Sequence, residues 1–266
     1  MNNRISETFA TLANQGRKAL IPYISAGDPN LDTTRRIVLE LERKGADIVE
    51  LGVPFSDPVA DGPTIQRASL RALKQGTTLH GIVDTVAAIR VDSKIPIALM
   101  TYYNPILAYG VEKFCWEASR AGVDGLIIPD LPPEEAADLI ACCREQNIAT
   151  VFLVAPTSSA DRIAHIDANT TGFLYCVSLT GVTGARNRMG DNVPAFMETV
   201  RSRSSNPLAI GFGISTPDHA REAARLADGI IVGSAIIDVI EQCKTEDEIV
   251  SQVGNFVKSL RTSIDE

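Results

Sequence analysis

The stretch Asp47-Ile-Val-Glu-Leu-Gly-Val-Pro-Phe-Ser-Asp-Pro-Val-Ala-Asp-Gly-Pro63 begins as an apolar strand and continues into a loop rich in proline and glycine. An ionisable residue, Glu50, stands near the end of the strand, and the loop adds two more carboxylates, Asp57 and Asp61. An acid in an apolar strand is costly unless it has a task or a partner, and burial raises its pKa. Two acids in different surroundings can divide acid and base roles. The stretch therefore predicts a strand end that carries acid–base chemistry.

The alternation of a short apolar run with a longer amphipathic stretch extends in both directions from Glu50. The predicted strands are residues 19–25, 47–53, 95–102, 124–129, 148–155, 172–178, 207–211 and 228–233. The predicted helices include residues 33–44, 79–91, 110–121, 133–146, 159–168, 193–204, 217–226 and 246–260. Eight strands that are each followed by a helix form a parallel sheet, and eight is the number that closes. We predict a single (β/α)8 TIM barrel over residues 1–266, with an extra helix at residues 6–20 capping its bottom.

An open, doubly wound sheet is the alternative architecture. It needs a topological switch point and usually a GxGxxG turn after the first strand. The segment Ser25-Ala-Gly-Asp-Pro29, which follows the first predicted strand, has no such turn. The sequence therefore favours the barrel.

Composition narrows the class of protein. The chain has 266 residues, 45% of them hydrophobic, which is enough for a large core. Its formal net charge is −8 and it has no block of like charge, which argues against nucleic acid or an anionic membrane as the main partner. No apolar run approaches the ~20 residues that span a bilayer, and the N-terminus lacks the apolar region of a secretory signal. We expect a cytoplasmic protein whose five cysteines are reduced, buried thiols.

In a barrel of this kind, function lies where strands end and the following loops begin. Glu50 shares a strand face with Ile48, so if that face is the interior, its carboxyl lies at the top of the core. Three alternatives stay open at this point. Glu50 could pair with an arginine, Asp61 could cap the helix that begins at Pro63, and Asp57 could serve only to form a turn.

The last third of the chain predicts a phosphate site. Gly211-Phe-Gly-Ile-Ser215 follows the seventh predicted strand, and Gly233-Ser-Ala235 follows the eighth, where a helix begins. Backbone N–H groups at glycines and at a helix N-terminus favour an anion, and barrels often bind phosphate after strands 7 and 8. Gly184, in the loop after the sixth strand, could close the same pocket. The alternative is that these glycines only form tight turns.

Other catalytic groups are missing from the strand ends. None of the seven lysines lies at the C-terminal end of a predicted strand, so a Schiff-base aldolase would lack its nucleophile. The three histidines show no spacing typical of metal ligands, and we predict no metal site. Acid–base chemistry is what remains.

Several motifs, taken in order, resemble those of the tryptophan synthase alpha subunit family, and together they span nearly the whole chain. They are Ile21-Pro-Tyr-Ile-Ser-Ala-Gly-Asp-Pro29, Glu50-Leu-Gly-Val-Pro-Phe-Ser-Asp-Pro58, Ala60-Asp-Gly-Pro63, Gly181-Val-Thr-Gly184 and Gly211-Phe-Gly-Ile-Ser215. The resemblance implies retro-aldol cleavage of indole-3-glycerol phosphate to indole and glyceraldehyde 3-phosphate.

The resemblance also implies a role for each matching residue. Glu50 would be the catalytic acid and base, Asp61 would accept the indole N–H, and Tyr175 would help to orient the substrate or the catalytic acid. The indole slot would be formed by Tyr23, Met100, Ile127, Leu153 and Phe212, with Thr183 as a lid residue that meets Asp61. Phosphate would bind Gly184, Gly213, Gly233 and Ser234. Tyr23 stands where phenylalanine is also common.

Members of this family work with a beta subunit, so the resemblance implies such a partner in an alpha2beta2 assembly. Pyridoxal phosphate would belong to that partner, and this chain itself would need no cofactor. Asp57 and the segment from Pro54 to Pro58 are the expected contacts with it. A free-standing indole-glycerol-phosphate lyase, another phosphate-binding barrel isomerase and a non-enzymatic regulatory subunit are the alternatives.

Overall fold

The computed structural model describes residues 3–177, 192–211 and 213–266. Within these residues one parallel sheet contains nine strand segments in the order β5-β4-β3-β2-β1-β9-β8-β7-β6. Their bounds are β1 Ala19–Ser25, β2 Val49–Gly52, β3 Ile97–Met100, β4 Gly125–Ile127, β5 Ala149–Val151, β6 Leu153–Val154, β7 Leu174–Cys176, β8 Leu208–Ile210 and β9 Gly229–Val232.

The two end segments of this order are pieces of a single strand. β5 and β6 are separated in the chain only by Phe152, and β5 pairs with β4 while β6 pairs with β7. Within the described residues, the nine segments therefore correspond to eight strands that form the barrel wall. The predicted (β/α)8 TIM barrel is confirmed, with its fifth strand interrupted.

Helices follow the strands around the outside. The α-helices are α1 Arg4–Asn14, α2 Leu31–Arg43, α3 Pro63–Lys74, α4 Leu79–Ile89, α5 Tyr103–Tyr109, α6 Val111–Ala121, α7 Ala137–Glu145, α8 Ala160–Asn169, α9 Val193–Arg201, α10 Pro217–Ala224, α11 Ser234–Gln242 and α12 Glu246–Asp265. A 3-10 turn at Pro133–Glu135 precedes α7, so the helix predicted at residues 133–146 is in two parts. In the part of the chain that the structure describes, no helix is both long enough and apolar enough to cross a membrane.

Helix α1 closes the bottom of the barrel, as predicted, but it is shorter than predicted. It ends at Asn14 because Gly16 adopts a left-handed conformation (φ +67°) and the chain then enters β1 at Ala19. The Ile5 side chain reaches the N-terminal end of β4, where a Cβ on Gly125 would lie 2.7 Å from it. The inner faces of the strands form an apolar cluster above this plug.

Candidate active site

Glu50 is the most unusual side chain inside the barrel. It lies on the inner face of β2, is 0% exposed, and neither carboxyl oxygen has a hydrogen-bond partner among the residues that the structure describes. Burial, together with the nearby charge of Asp61, raises its pKa to about 8. No arginine within the described ranges pairs with it, so the ion-pair alternative is not supported. At neutral pH Glu50 is a protonated acid that can give up its proton.

Asp61 is the second acid of the site, in the loop that joins β2 to α3. Burial raises its pKa to about 6, and a hydrogen bond from Tyr102 opposes that rise. The N-cap of α3 is Gly62, and no side chain caps this helix. The reading of Asp61 as a helix cap is therefore wrong. At pH 7 Asp61 is mostly ionised while Glu50 is mostly protonated, which is a division of roles between two neighbouring acids.

Tyr102 is a functional residue that the sequence analysis missed. It follows β3, is 4% exposed, and its hydroxyl accepts the N–H of Ala60 at 2.9 Å. Its ring packs on Phe55 with centroids 5.2 Å apart. Burial raises its pKa, so the hydroxyl stays protonated and can donate to Asp61. Tyr102 thus anchors both ends of the loop that carries Asp61. The sequence signal is a buried aromatic with a polar tip at the C-terminal end of a barrel strand.

Two further tyrosines, Tyr23 and Tyr175, cross the barrel interior at the level of Glu50. Each passes over a glycine of the neighbouring strand, since a Cβ on Gly52 would collide with the Tyr23 hydroxyl and one on Gly211 with the Tyr175 ring. Burial raises the pKa of both phenols, and the charges of Asp61 and Glu50 add to the rise, while the nearby Ser25 hydroxyl opposes it at Tyr23. Both hydroxyls therefore keep their protons and are hydrogen-bond donors beside the acid pair.

Four of the five residues predicted to form the indole slot are described, and they share the inner face of the barrel. Tyr23 and Ile127 are buried there, and Met100 and Leu153 are half-buried and pack on the same inner cluster. Phe212 lies outside the described residues. The four that are described are the apolar wall that surrounds Glu50 near the C-terminal ends of their strands.

Three of the four residues predicted to bind phosphate are described, and they lie at two neighbouring strand ends. Gly213 follows β8 in a left-handed conformation (φ +67°), with open space where a side chain would be. Gly233 is the N-cap of α11, and Ser234 is its first residue. The first turn of α11 thus presents backbone N–H groups without helical partners, which is a suitable anion site. Gly184 and Thr183 lie outside the described residues.

The predicted partner-contact segment forms the first part of the loop after β2. Asp57 is exposed and accepts a hydrogen bond from the Ser56 hydroxyl at 2.5 Å, while Pro58 is half-buried and Pro54 is buried. The neighbouring Val59 is 85% exposed. The contact itself stays a prediction. No cluster of three or more potential metal ligands occurs within the described residues.

Comparison with known proteins identifies the family. A sequence model of the tryptophan synthase alpha chain matches residues 9–264. The tryptophan synthase alpha chain of Clostridium kluyveri is 51% identical over 263 residues, which cover 99% of this chain and 100% of that protein. That of Roseiflexus sp. is 53% identical over 260 residues, covering 97% and 99%.

Solved structures agree with this result. The tryptophan synthase alpha chain of Legionella pneumophila superposes with a TM-score of 0.92 at 38% identity, covering 100% of this chain and 98% of that one. A chain of Mycobacterium tuberculosis tryptophan synthase superposes with a TM-score of 0.91 at 34% identity, covering 99% of both chains. With the acid pair in place at the strand ends, the chain belongs to the tryptophan synthase alpha chain family.

Proposed function

We propose that this chain cleaves indole-3-glycerol phosphate to indole and glyceraldehyde 3-phosphate, as a carbon–carbon lyase in tryptophan biosynthesis. The observation that carries the proposal is the acid pair. Glu50 is protonated and has no hydrogen-bond partner among the described residues, and Asp61, whose charge acts on it, is ionised. A retro-aldol cleavage of this substrate needs one group of each kind.

In the first step, protonated Glu50 gives its proton to carbon 3 of the indole ring. Positive charge then develops on the ring nitrogen, and the Asp61 carboxylate stabilises it by accepting the N–H. In the second step, the Glu50 carboxylate takes the proton of the hydroxyl on the carbon attached to the ring. The carbon–carbon bond breaks, its electrons return to the ring, and the hydroxyl carbon leaves as an aldehyde. Glu50 regains its proton and is ready for another cycle.

The remaining site residues hold the substrate in this position. Tyr23, Met100, Ile127 and Leu153 provide an apolar wall for the indole ring, and we assign Phe212 to the same wall. The start of α11, at Gly233 and Ser234, would bind the phosphate together with Gly213. We assign Gly184 to the same phosphate and Thr183 to the lid above Asp61. Tyr175, beside Glu50, would orient the acid or the substrate hydroxyl.

A beta subunit would receive the indole. The family to which this chain belongs implies such a partner. The similar Mycobacterium tuberculosis structure is named as tryptophan synthase and not as its alpha chain alone. We propose an alpha2beta2 assembly in the cytoplasm, with pyridoxal phosphate in the beta subunit and no cofactor in this chain. Asp57, Pro54 and Pro58 would form or support the contact surface.

The test is indole release from indole-3-glycerol phosphate by the purified chain, with and without a tryptophan synthase beta subunit. We expect activity that rises with the beta subunit and collapses in Glu50→Gln. Fast release that ignores the partner would instead indicate a free-standing lyase. No release under either condition would reject both reactions.

A further inference from the structure

We propose that Ser25 is a substrate-binding residue that recognises the glycerol hydroxyl which the reaction does not consume. Indole-3-glycerol phosphate carries two free hydroxyls, one beside the ring and one on carbon 2 of the glycerol chain. The reaction uses the first, and the second survives into the aldehyde product. The inference rests on the proposed function and adds a determinant of specificity to it.

The Ser25 hydroxyl lies close enough to the Tyr23 hydroxyl to lower the pKa of that phenol, but it is not held there by a hydrogen bond of normal geometry. Ser25 is the last residue of β1 and is 1% exposed, yet its Oγ has no hydrogen-bond partner among the described residues. Buried hydroxyls nearly always have a partner, and leaving one unpaired costs stability. The other buried, unpartnered group in this part of the barrel is Glu50, whose task is chemical. Ser25 therefore requires a comparable explanation.

The sheet register places Ser25 between the two halves of the site. Tyr23 pairs with Glu50, and two positions further on Ser25 pairs with Gly52, so Ser25 lies one layer above the catalytic acid on the same inner face. On its other side β1 pairs with β9, which leads directly into Gly233 and α11.

The Tyr23 ring confirms how close these two sides are. It lies 3.4 Å from where a Cβ on Gly233 would be, and its hydroxyl lies over Gly52. One side chain of β1 thus spans the distance from the phosphate end to the strand of Glu50.

The substrate must cross β1 in the same way. Its ring reacts at Glu50 and its phosphate binds at the start of α11, so the glycerol chain that joins them passes over the end of β1. The carbon 2 hydroxyl lies in the middle of that chain. A serine hydroxyl can both donate and accept, so it can pair with this hydroxyl in either direction. A protein hydroxyl without a well-formed hydrogen bond thus lies where the carbon 2 hydroxyl of the substrate would pass.

The experiment compares two substrates with the chain in complex with a beta subunit. One is indole-3-glycerol phosphate, and the other is the analogue without the carbon 2 hydroxyl, the phosphate monoester of 1-(indol-3-yl)propane-1,3-diol. We expect the natural substrate to have an about tenfold higher kcat/KM, the value of one neutral hydrogen bond. Ser25→Ala should remove about that factor for the natural substrate only, so that the preference disappears. Ser25→Thr, which keeps a hydroxyl, should retain it.

Stability provides the second readout. Because the Ser25 hydroxyl has no hydrogen bond of normal geometry among the described residues, Ser25→Ala should leave the melting temperature unchanged or raise it. Ser93 is the matched control, since it is also a buried serine but its Oγ accepts the N–H of Ile95 at 3.0 Å. Ser93→Ala should lower the melting temperature and keep the substrate preference.

Each contrary result has its own meaning. Equal losses on both substrates in Ser25→Ala, or a lower melting temperature, would overturn the role of Ser25 while indole release by the unmodified chain still supports the proposed function. Failure of the unmodified chain to release indole from the natural substrate would overturn the proposed function and this inference with it.

Discussion

The two ends of the barrel treat buried acids in opposite ways. At the bottom, Asp47, Asp124 and Asp228 each precede a strand, and each accepts a backbone N–H from a neighbouring strand at 2.8–2.9 Å. Each also pairs with a cation. These pairs are Asp47 with Arg261 at 3.0 Å, Asp124 with Arg90 at 2.7 Å and Arg4 at 2.5 Å, and Asp228 with Arg201 at 2.5 Å. At the top, Glu50 has no such partner and Asp61 has a single tyrosine.

The difference shows which acids serve the fold and which serve a ligand. A carboxylate with an N–H and a guanidinium is satisfied in the free protein, and it ties one strand to the next. A buried carboxyl without partners lowers stability, and it is retained where its raised pKa is useful. Substitution of an acid at the top should therefore lower activity more than stability. Substitution of an acid at the bottom should lower stability and leave activity unchanged.

The largest effect is expected for Glu50→Gln. The amide keeps the shape of the side chain but cannot deliver or take up a proton, so indole release should fall by about 1,000-fold, in the range of general acid–base catalysis. The measurement is the rate of indole formation with a beta subunit present. A loss of less than tenfold would contradict the role of Glu50. Binding of glyceraldehyde 3-phosphate is the control, and it should be preserved.

The same variant should reveal what Glu50 costs the fold. The folded-state pKa of Glu50 is about 8 against an ordinary value of 4.5, so the folded chain holds the proton more tightly. The stability that comes from this tighter proton binding is fully present below about pH 4.5. It is lost as the pH rises to about 8, where the folded chain must bury a charged carboxylate or keep a proton that the unfolded chain has released. Relative to Glu50→Gln, the native chain should lose up to about 5 kcal/mol of unfolding free energy across this interval. Denaturant titrations of both proteins at several pH values measure the difference, and a constant difference would contradict it.

At the bottom of the barrel, Asp124→Asn should do the reverse. The Asp124 side chain is 4% exposed and the Arg90 side chain is 12% exposed, so the substitution leaves a largely buried cation without its counter-charge. Breaking such a pair costs about 3 kcal/mol, while the kcat of the folded protein should not change. Asp92→Asn is the control, because its pair with Arg35 is much more exposed and should contribute less than about 1 kcal/mol. Equal losses in the two variants would contradict the comparison.

The sequence predicted the fold and only part of the site. Eight apolar runs with helices between them were sufficient for the barrel, because side-chain periodicity depends on local sequence. The break at Phe152 was not predictable, since residues 148–155 are apolar apart from Thr150, and the break follows from how the barrel closes. Glu50 could be identified because an acid in an apolar strand is anomalous by itself.

Residues whose role depends on a distant partner could not be found in this way. Tyr102 acts through Ala60, 42 positions earlier in the chain, and Arg261 reaches Asp47 across 214 positions. Ser25 is an ordinary serine in the sequence, and only the structure shows that its buried hydroxyl has no hydrogen bond of normal geometry among the described residues. Whether a buried polar side chain has a hydrogen-bond or ion-pair partner depends on the tertiary structure, and this property distinguishes the two ends of the barrel.

Asp61→Asn tests the second acid of the upper end. Under the proposed function, loss of the carboxylate would remove the acceptor that stabilises charge on the indole nitrogen, and indole release should fall by about 100-fold. In the native chain kcat/KM should rise through about pH 6, as Asp61 ionises, and fall through about pH 8, as Glu50 loses its proton. The variant should lack the acid limb.

The basic limb should move as well. The charge of Asp61 is one of the two causes that raise the pKa of Glu50, so removing it should shift the basic limb to lower pH. A pH profile of kcat/KM with both limbs unchanged in Asp61→Asn would contradict the assignment of the two acids.

The smallest effect is expected for Tyr102→Phe, which tests whether a polar contact at the top of the barrel serves the chemistry or the fold. Tyr102 is the nearest equivalent at the top of the barrel to the arginines at the bottom, but it is neutral and stabilises the charge of Asp61 by one hydrogen bond only. Without that bond the pKa of Asp61 should rise above 6, because burial is then unopposed. Indole release at pH 7 should fall by about tenfold, and the acid limb should move to higher pH.

The loss should therefore shrink as pH increases, which separates this role from a purely structural one. The Ala60 N–H also loses its acceptor in this variant, and a misplaced loop would lower activity by the same factor at every pH. Tyr109→Phe is the control, because its hydroxyl bonds to His80 at 2.7 Å on the outer surface and should leave the profile unchanged. A pH-independent loss in Tyr102→Phe would mean that Tyr102 only holds the loop in place and does not set the pKa of Asp61.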